Sequence, residues 1–151
     1  MNYKDEIKAI VFDAGGVLLN LNLEACKTAF KDILGYYKID ELLDPCHQKG
    51  IYGDMEEGKI TADEFRTQVL AESRPGSTPE MVDRCMAALL TEIDKPKADY
   101  LNRLKERYPL YMLTNNNEIS WLRFLDIFRR DGIPIEETFK EYFISCRMGV
   151  L

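Results

Sequence analysis

The chain has 151 residues, 46% of them hydrophobic and 30% charged, with a formal net charge of −6. That length suits a single ordinary domain, or a small core carrying an insert. The acidic balance argues for no nucleic acid and no membrane surface as main partner, yet leaves room for a small phosphorylated substrate held by backbone dipoles.

No apolar stretch approaches the roughly 20 residues that a membrane span needs. The charged start "MNYKDEIK" lacks the apolar core of a signal peptide, so the expected location is cytoplasmic. Cys26, Cys46, Cys85 and Cys146 have no CxxC spacing, which suggests neither a disulfide framework nor a zinc site. Cys46 and His47 are adjacent, and adjacent side chains rarely point at one metal, so the single histidine is a poor catalytic candidate.

The first predicted element is a strand over 7–13, "IKAIVFD". Its near-continuous apolar run suits a parallel strand buried on both faces, closed by Gly15-Gly16. "VLLNLN" then reads as a short extended excursion. Leu23, Cys26, Phe30, Ile33 and Leu34 recur at helical spacing and stop at Gly35. "IDELLD" predicts a short helix halted near Pro45. Thr61 and Glu64 form a capping-box pattern ahead of Phe65, Val69 and Leu70. Pro79 opens a further helix with Val82, Cys85, Met86, Leu89 and Ile93 as its apolar stripe.

From Pro96 the pattern changes. A helix carrying Leu101 and Leu104 leads into "YPLYMLTNNN", whose residues 110–113 read as a second buried strand. A helix follows with Ile119, Leu122, Leu125 and Phe128 as its apolar face, and "EYFISC" reads as a third strand. The expected class is α/β, a Rossmann-like parallel sheet core with an inserted small α-helical cap. The expected boundaries are 1–20 and 94–151 for the core, and 21–93 for the cap.

In open parallel sheets, ligands bind beyond the carboxyl ends of the strands. Asp13 ends the first strand, and Thr114 and Asn115 end the second. Consecutive strands usually neighbour each other, which would gather a carboxylate, a hydroxyl and exposed backbone N–H groups. A carboxylate can attack phosphorus and split one hard displacement into two easier steps. A cation is then needed beside the phosphate, and Mg²⁺ suits carboxylate, carbonyl and phosphate oxygens. Taken alone, "FDAGG" is also the pattern of a turn after a strand, and "LTNNN" is rich in turn formers. Their placement at the ends of successive strands is the more specific signal.

Those same residues resemble a known family. "IVFDAGGVLLNLN" is similar to the first motif of the haloacid dehalogenase-like (HAD) superfamily, of the "FDxGGV" phosphatase type. "YMLTNNN" resembles the second motif, the tract between them resembles the small helical cap, and "RMGVL" resembles the lead-in to the third. The resemblance implies a hydrolase acting on a small phosphorylated metabolite such as a sugar phosphate. It implies Asp13 as nucleophile and Mg²⁺ ligand, Gly15 as a backbone-carbonyl metal ligand, and Thr114 with Asn115 as phosphate binders. Tyr52 and Glu57 are cap positions that could meet the substrate. Trp121 is expected to be a packing residue.

Two departures from the family pattern stand out. Many superfamily phosphatases carry a second aspartate where this chain has Gly15, and Asn20 and Asn22 stand where related sequences often have carboxylates. Glu56 or Glu57 could substitute, although a solvated surface position is the ordinary fate of such residues. The sequence also ends at Leu151, before the family's lysine and its later acidic motif, so the expected chain is truncated, with an incomplete Mg²⁺ site and little activity. An exposed first strand is then expected to promote self-association. The alternatives are a dehalogenase using the same aspartate on carbon, or a non-catalytic binding or regulatory protein of the same fold.

Overall fold

The computed structural model describes residues 6–44 and 48–151, so the Cys46-His47 pair and most of "MNYKDEIK" lie outside the described residues. The sheet has three parallel strands, β1 (Ile10–Asp13), β2 (Leu110–Thr114) and β3 (Glu141–Ile144), in the spatial order β1-β2-β3. Ile10 pairs with Leu110 and Asp13 with Leu113, while Thr114 pairs with Ile144. The expected α/β class with a parallel sheet is what the chain forms.

Between β1 and β2 lie α1 (Leu23–Ala29), α2 (Ile39–Leu42), α3 (Gly50–Glu56), α4 (Ala62–Ala71), α5 (Pro79–Ala87) and α6 (Lys95–Leu104). Asn22 caps α1 by accepting the Ala25 N–H at 2.9 Å. A π-helical turn over Phe30–Leu34 continues α1 and ends in left-handed Gly35, as the sequence pattern required. Thr61 and Glu64 form both hydrogen bonds of the capping box at the start of α4. The stripe Val82, Cys85, Met86, Leu89 and Ile93 is buried, and α5 packs against α1, α4 and α7.

After β2 come α7 (Glu118–Arg130), α8 (Ile135–Thr138), β3 and α9 (Ser145–Met148). Trp121 stacks on Phe124 at 5.4 Å and on Tyr142 of β3 at 5.5 Å, which makes it the packing residue expected. The chain enters and leaves the helical insert through two antiparallel segments. Asn20 N–H and Asn22 N–H donate to the Glu92 and Leu89 carbonyls, each at 2.8 Å, and Thr91 N–H returns to Asn20 at 3.1 Å.

Several expectations need correction. The first strand is shorter than 7–13 and is covered on one face only, with Val11 62% exposed. Its apolar run reflects an edge strand whose second face meets no other described element. The 17–19 stretch is a tight turn and not extended, with Leu18 and Leu19 N–H both bonded to the Ala14 carbonyl. On α7 the buried face is Ser120, Trp121, Phe124, Ile127 and Phe128, whereas Leu122 is 70% exposed. A spacing of three repeated from 119 drifts around a 3.6-residue helix, while the 121/124/128 aromatics stay on one stripe. The third strand ends at Ile144, and Ser145-Cys146 begin α9. Among the described residues, no helix is long and apolar enough to cross a membrane.

Gly58, just after α3, is where the insert comes closest to α9. A Cβ there would lie 2.3 Å from the Cys146 carbonyl oxygen, and its φ is +76°. Gly76 has φ +87° but open space around it. Gly76→Ala should therefore lose only the left-handed strain, roughly 1–2 kcal/mol. Gly58→Ala should add an overpacking cost of roughly 1–3 kcal/mol to that strain. Urea unfolding of both variants measures the difference, and equal losses would contradict the close approach.

Candidate active site

At the carboxyl ends of β1 and β2 lies a cavity of about 270 Å³. Asp13, Gly15, Thr114, Asn115 and Tyr52 all line it, so the structure brings together five of the six residues singled out from sequence. The sixth, Glu57, does not line it and pairs with Lys59 at 2.7 Å. The carboxyl group on the cavity wall is instead its neighbour Glu56, only 5% exposed. The surface reading of Glu56 is thus overturned.

Each group has a local reason for its position. β1 stops at Asp13 because Gly16, at φ +77°, turns the chain sharply. The turn closes through Gly16 N–H to the Leu19 carbonyl at 2.8 Å and Leu19 N–H to the Ala14 carbonyl at 2.9 Å. Those two bonds bracket Gly15 without using its own N–H or C=O, so both stay available to the cavity. A side chain at Gly15 would meet only Leu21 Cδ1, at 3.8 Å.

On the other strand, Thr114 is 2% exposed, and its hydroxyl makes only a loose 3.5 Å contact with the Asn115 carbonyl. Asn117 caps α7 by accepting Ser120 N–H at 3.0 Å, and its own N–H donates to Asn116 Oδ1 at 2.8 Å. The N-terminus of this 13-residue helix therefore opens at the cavity, carrying about half a positive charge. Asn116, Asn117 and Ser120 line the cavity and were missed in the sequence. The signal was present: an asparagine immediately before an amphipathic run is an N-cap pattern.

The far wall comes from the helical insert. Ser145 Oγ accepts Asn116 N–H at 3.1 Å and donates to the Glu56 carbonyl at 2.6 Å. That hydroxyl ties the end of α3 to the β2–α7 loop. Tyr52 is fully buried, edge-on to Phe65 at 6.0 Å, and also lines the cavity. Asn20 and Asn22 are structural, since Asn20 bonds Asp94 and Lys97 and Asn22 caps α1.

The buried polar atoms carry the electrostatic message. Tyr52 Oη, Glu56 Oε2 and Ser120 Oγ have no hydrogen-bond partner among the described residues, and all three residues line this cavity. Leaving such groups unsatisfied costs roughly 1–3 kcal/mol each, so their convergence marks a place built for a polar ligand. Burial pushes the Glu56 carboxyl up from an ordinary 4.5 to about 7, partly offset by the Asn117 amide beside it. Burial first, then the Glu56 charge, pushes the Tyr52 hydroxyl well above its usual value. Among the described residues the lining has no lysine, arginine or histidine.

The donors present suit Mg²⁺. Asp13 offers a carboxylate and Gly15 a carbonyl free of the turn's own bonds, both hard oxygens on one cavity. Mg²⁺ commonly takes one or two carboxylates, filling its octahedron with water and substrate phosphate. No group of three or more metal-ligating side chains occurs among the described residues.

A strand-end carboxylate, a buried hydroxyl and a helix N-terminus around one cavity define a phosphate-handling α/β enzyme. The comparisons with known proteins narrow this to a family. No protein-family profile matches the chain. The chain is 34% identical over 145 residues to a D-ribitol-5-phosphate phosphatase from Bacteroides thetaiotaomicron, covering 95% of this chain and 69% of that protein. It superimposes on the crystal structure of a HAD family enzyme from B. thetaiotaomicron in complex with magnesium and inorganic phosphate. The TM-score is 0.85 at 32% identity, covering 96% of this chain and 72% of that one. A HAD-like family hydrolase from Porphyromonas gingivalis superimposes with a TM-score of 0.79 at 35% identity, covering 96% and 69%. The chain belongs to the HAD family of hydrolases.

The raised carboxyl of Glu56 has a measurable consequence. The unfolded chain releases this proton near pH 4.5 and the folded chain near 7, so folding is penalised as pH rises between them. The full penalty, present above pH 7, is about 3 kcal/mol. Relative to wild type, Glu56→Gln should gain about that much stability between pH 4 and 8 in urea unfolding. A pH-independent difference would contradict the buried acid.

Proposed function

We propose that this chain is a Mg²⁺-dependent phosphatase acting on a small phosphorylated polyol or sugar, with Asp13 as nucleophile. The observation that carries the reading is the shared cavity of Asp13 and Thr114, at the paired ends of β1 and β2. The named activity of the 34%-identical relative supports it, and so does the magnesium and phosphate complex of the structural neighbour. Those relatives also favour phosphoryl chemistry over dehalogenation.

The Asp13 carboxylate attacks phosphorus, the bond to the leaving oxygen breaks, and water later displaces phosphate from Asp13. Thr114 and the N–H groups at the start of α7 hold the transferring group's oxygens, where negative charge gathers in the transition state. Mg²⁺, when bound by Asp13 and the Gly15 carbonyl, supplies charge compensation that the lining side chains do not. Residues 21–93 act as a cap over a core of 1–20 and 94–151, and Tyr52 is the cap residue that meets the substrate. The setting is cytoplasmic, where free thiols such as Cys26, Cys85 and Cys146 stay reduced.

Phosphate release should be measured over a panel of polyol and sugar phosphates, with and without Mg²⁺. Chelation should abolish turnover, and Asp13→Asn should lower it by at least about 10³-fold, consistent with loss of a nucleophile. Turnover by Asp13→Asn equal to wild type would exclude this reading.

We also infer self-association through β1, which pairs only with β2 among the described residues and leaves Val11 and Ile7 exposed. Light scattering should show mass rising with concentration, less so in Val11→Lys. A stable monomer at high concentration would contradict it.

A further inference from the structure

Resting on the phosphatase reading above, we propose that Glu56 is the general acid–base residue of the reaction, taking the role for which Gly15 has no side chain. Protonating the leaving oxygen and deprotonating the attacking water need one group that can both give and accept a proton. Among the described residues lining the cavity, only Asp13, Glu56 and Tyr52 titrate, and Asp13 is committed as nucleophile. The Tyr52 hydroxyl sits well above its usual value and holds its proton too tightly to return it as a base. Glu56 remains.

Its geometry fits the task. The residue is 5% exposed, and Oε2 has no hydrogen-bond partner among the described residues. Its backbone is fixed where it matters, because the Glu56 carbonyl accepts from Ser145, whose hydroxyl also holds Asn116, two residues after Thr114. Gly58 keeps the end of α3 pressed on α9, since any side chain there would strike the Cys146 carbonyl. Desolvation holds the carboxyl protonated to about pH 7, so at neutral pH it can serve as acid first and base second.

The proton balance closes. In the first step the Asp13 oxygen bonds to phosphorus and the bond to the alkoxy oxygen breaks. The electron pair of that bond takes the Glu56 proton, and the alcohol leaves. In the second step water bonds to phosphorus and gives its proton to the Glu56 carboxylate. The bond between phosphorus and Asp13 breaks, the carboxylate is restored, and phosphate leaves.

The test uses two substrates that differ in their need for an acid, a polyol phosphate and p-nitrophenyl phosphate, whose phenolate departs without a proton. Glu56→Gln should lower kcat on the polyol phosphate by on the order of 10²–10⁴-fold with little change in KM. With p-nitrophenyl phosphate the first turnover should run near the wild-type rate, giving a burst of one equivalent per chain. Slow turnover should follow, because water still lacks its base. If Glu56→Gln does not fold, Glu56→Asp carries the same comparison, since it keeps the acid but withdraws it by one methylene. Its loss should then fall more heavily on the polyol phosphate. Equal first-turnover losses on both substrates, or a change in KM alone, would overturn the proposal. If Asp13→Asn abolishes turnover while Glu56 variants match wild type, this proposal fails alone. If Asp13→Asn turns over normally, the phosphatase reading fails and takes this one with it.

Discussion

Everything at this site depends on the parallel pairing of β1 with β2. The pairing sets Asp13 beside Leu113, so the carboxylate ends its strand where Thr114 ends the next. Neighbouring strands lie about 4.8 Å apart, which is the scale on which a carboxylate and a hydroxyl can share one phosphate. A slip of two residues would preserve which face each side chain occupies, yet would carry Asp13 about 7 Å along the strand. The apolar contacts of Ile10 and Phe12 on the helix-covered face therefore hold a chemical register as well as a fold.

The helical insert completes what the sheet begins. The sheet side supplies Asp13, the Gly15 peptide, Thr114 and the start of α7, and the insert supplies Tyr52 and Glu56. Ser145 joins the two sides with one hydroxyl, bonded at once to the α3 carboxyl end and to the loop after β2. Three buried polar atoms without partners around one cavity would be a defect in an ordinary core. Local departures from good packing of this kind are expected at functional sites.

Most of the fold was legible because its signals are local. The Thr61/Glu64 capping box, Pro79 at a helix start and the strand-ending Asp13 and Thr114 each depend on a few neighbouring residues, and each appears where the sequence placed it. What was not legible depends on tertiary placement. Val11 and Leu122 are apolar in sequence but exposed, because no described element covers them. Glu56 and Glu57 are chemically identical neighbours, and only the rotation of α3 against α9 sends one to the cavity and the other to Lys59. Ser145 looked like the tail of a strand, and its role emerges only once the insert folds back over the loop.

The charge balance of the cavity gives the burial of Glu56 a further meaning. A phosphate group brings negative charge to a lining that already holds Asp13 and, among the described residues, offers no basic side chain. The α7 N-terminus contributes only about half a positive charge. Were Glu56 as readily ionised as an exposed carboxylate, three anionic groups would share one small space. Burial at 5% exposure keeps its proton on near neutral pH, so the cavity meets the substrate with one carboxylate and one carboxylic acid. Two like groups pushed to different protonation states by their surroundings are the pattern by which nucleophile and acid are told apart. Here the edge of a sheet produces one and the interior of a helical insert produces the other.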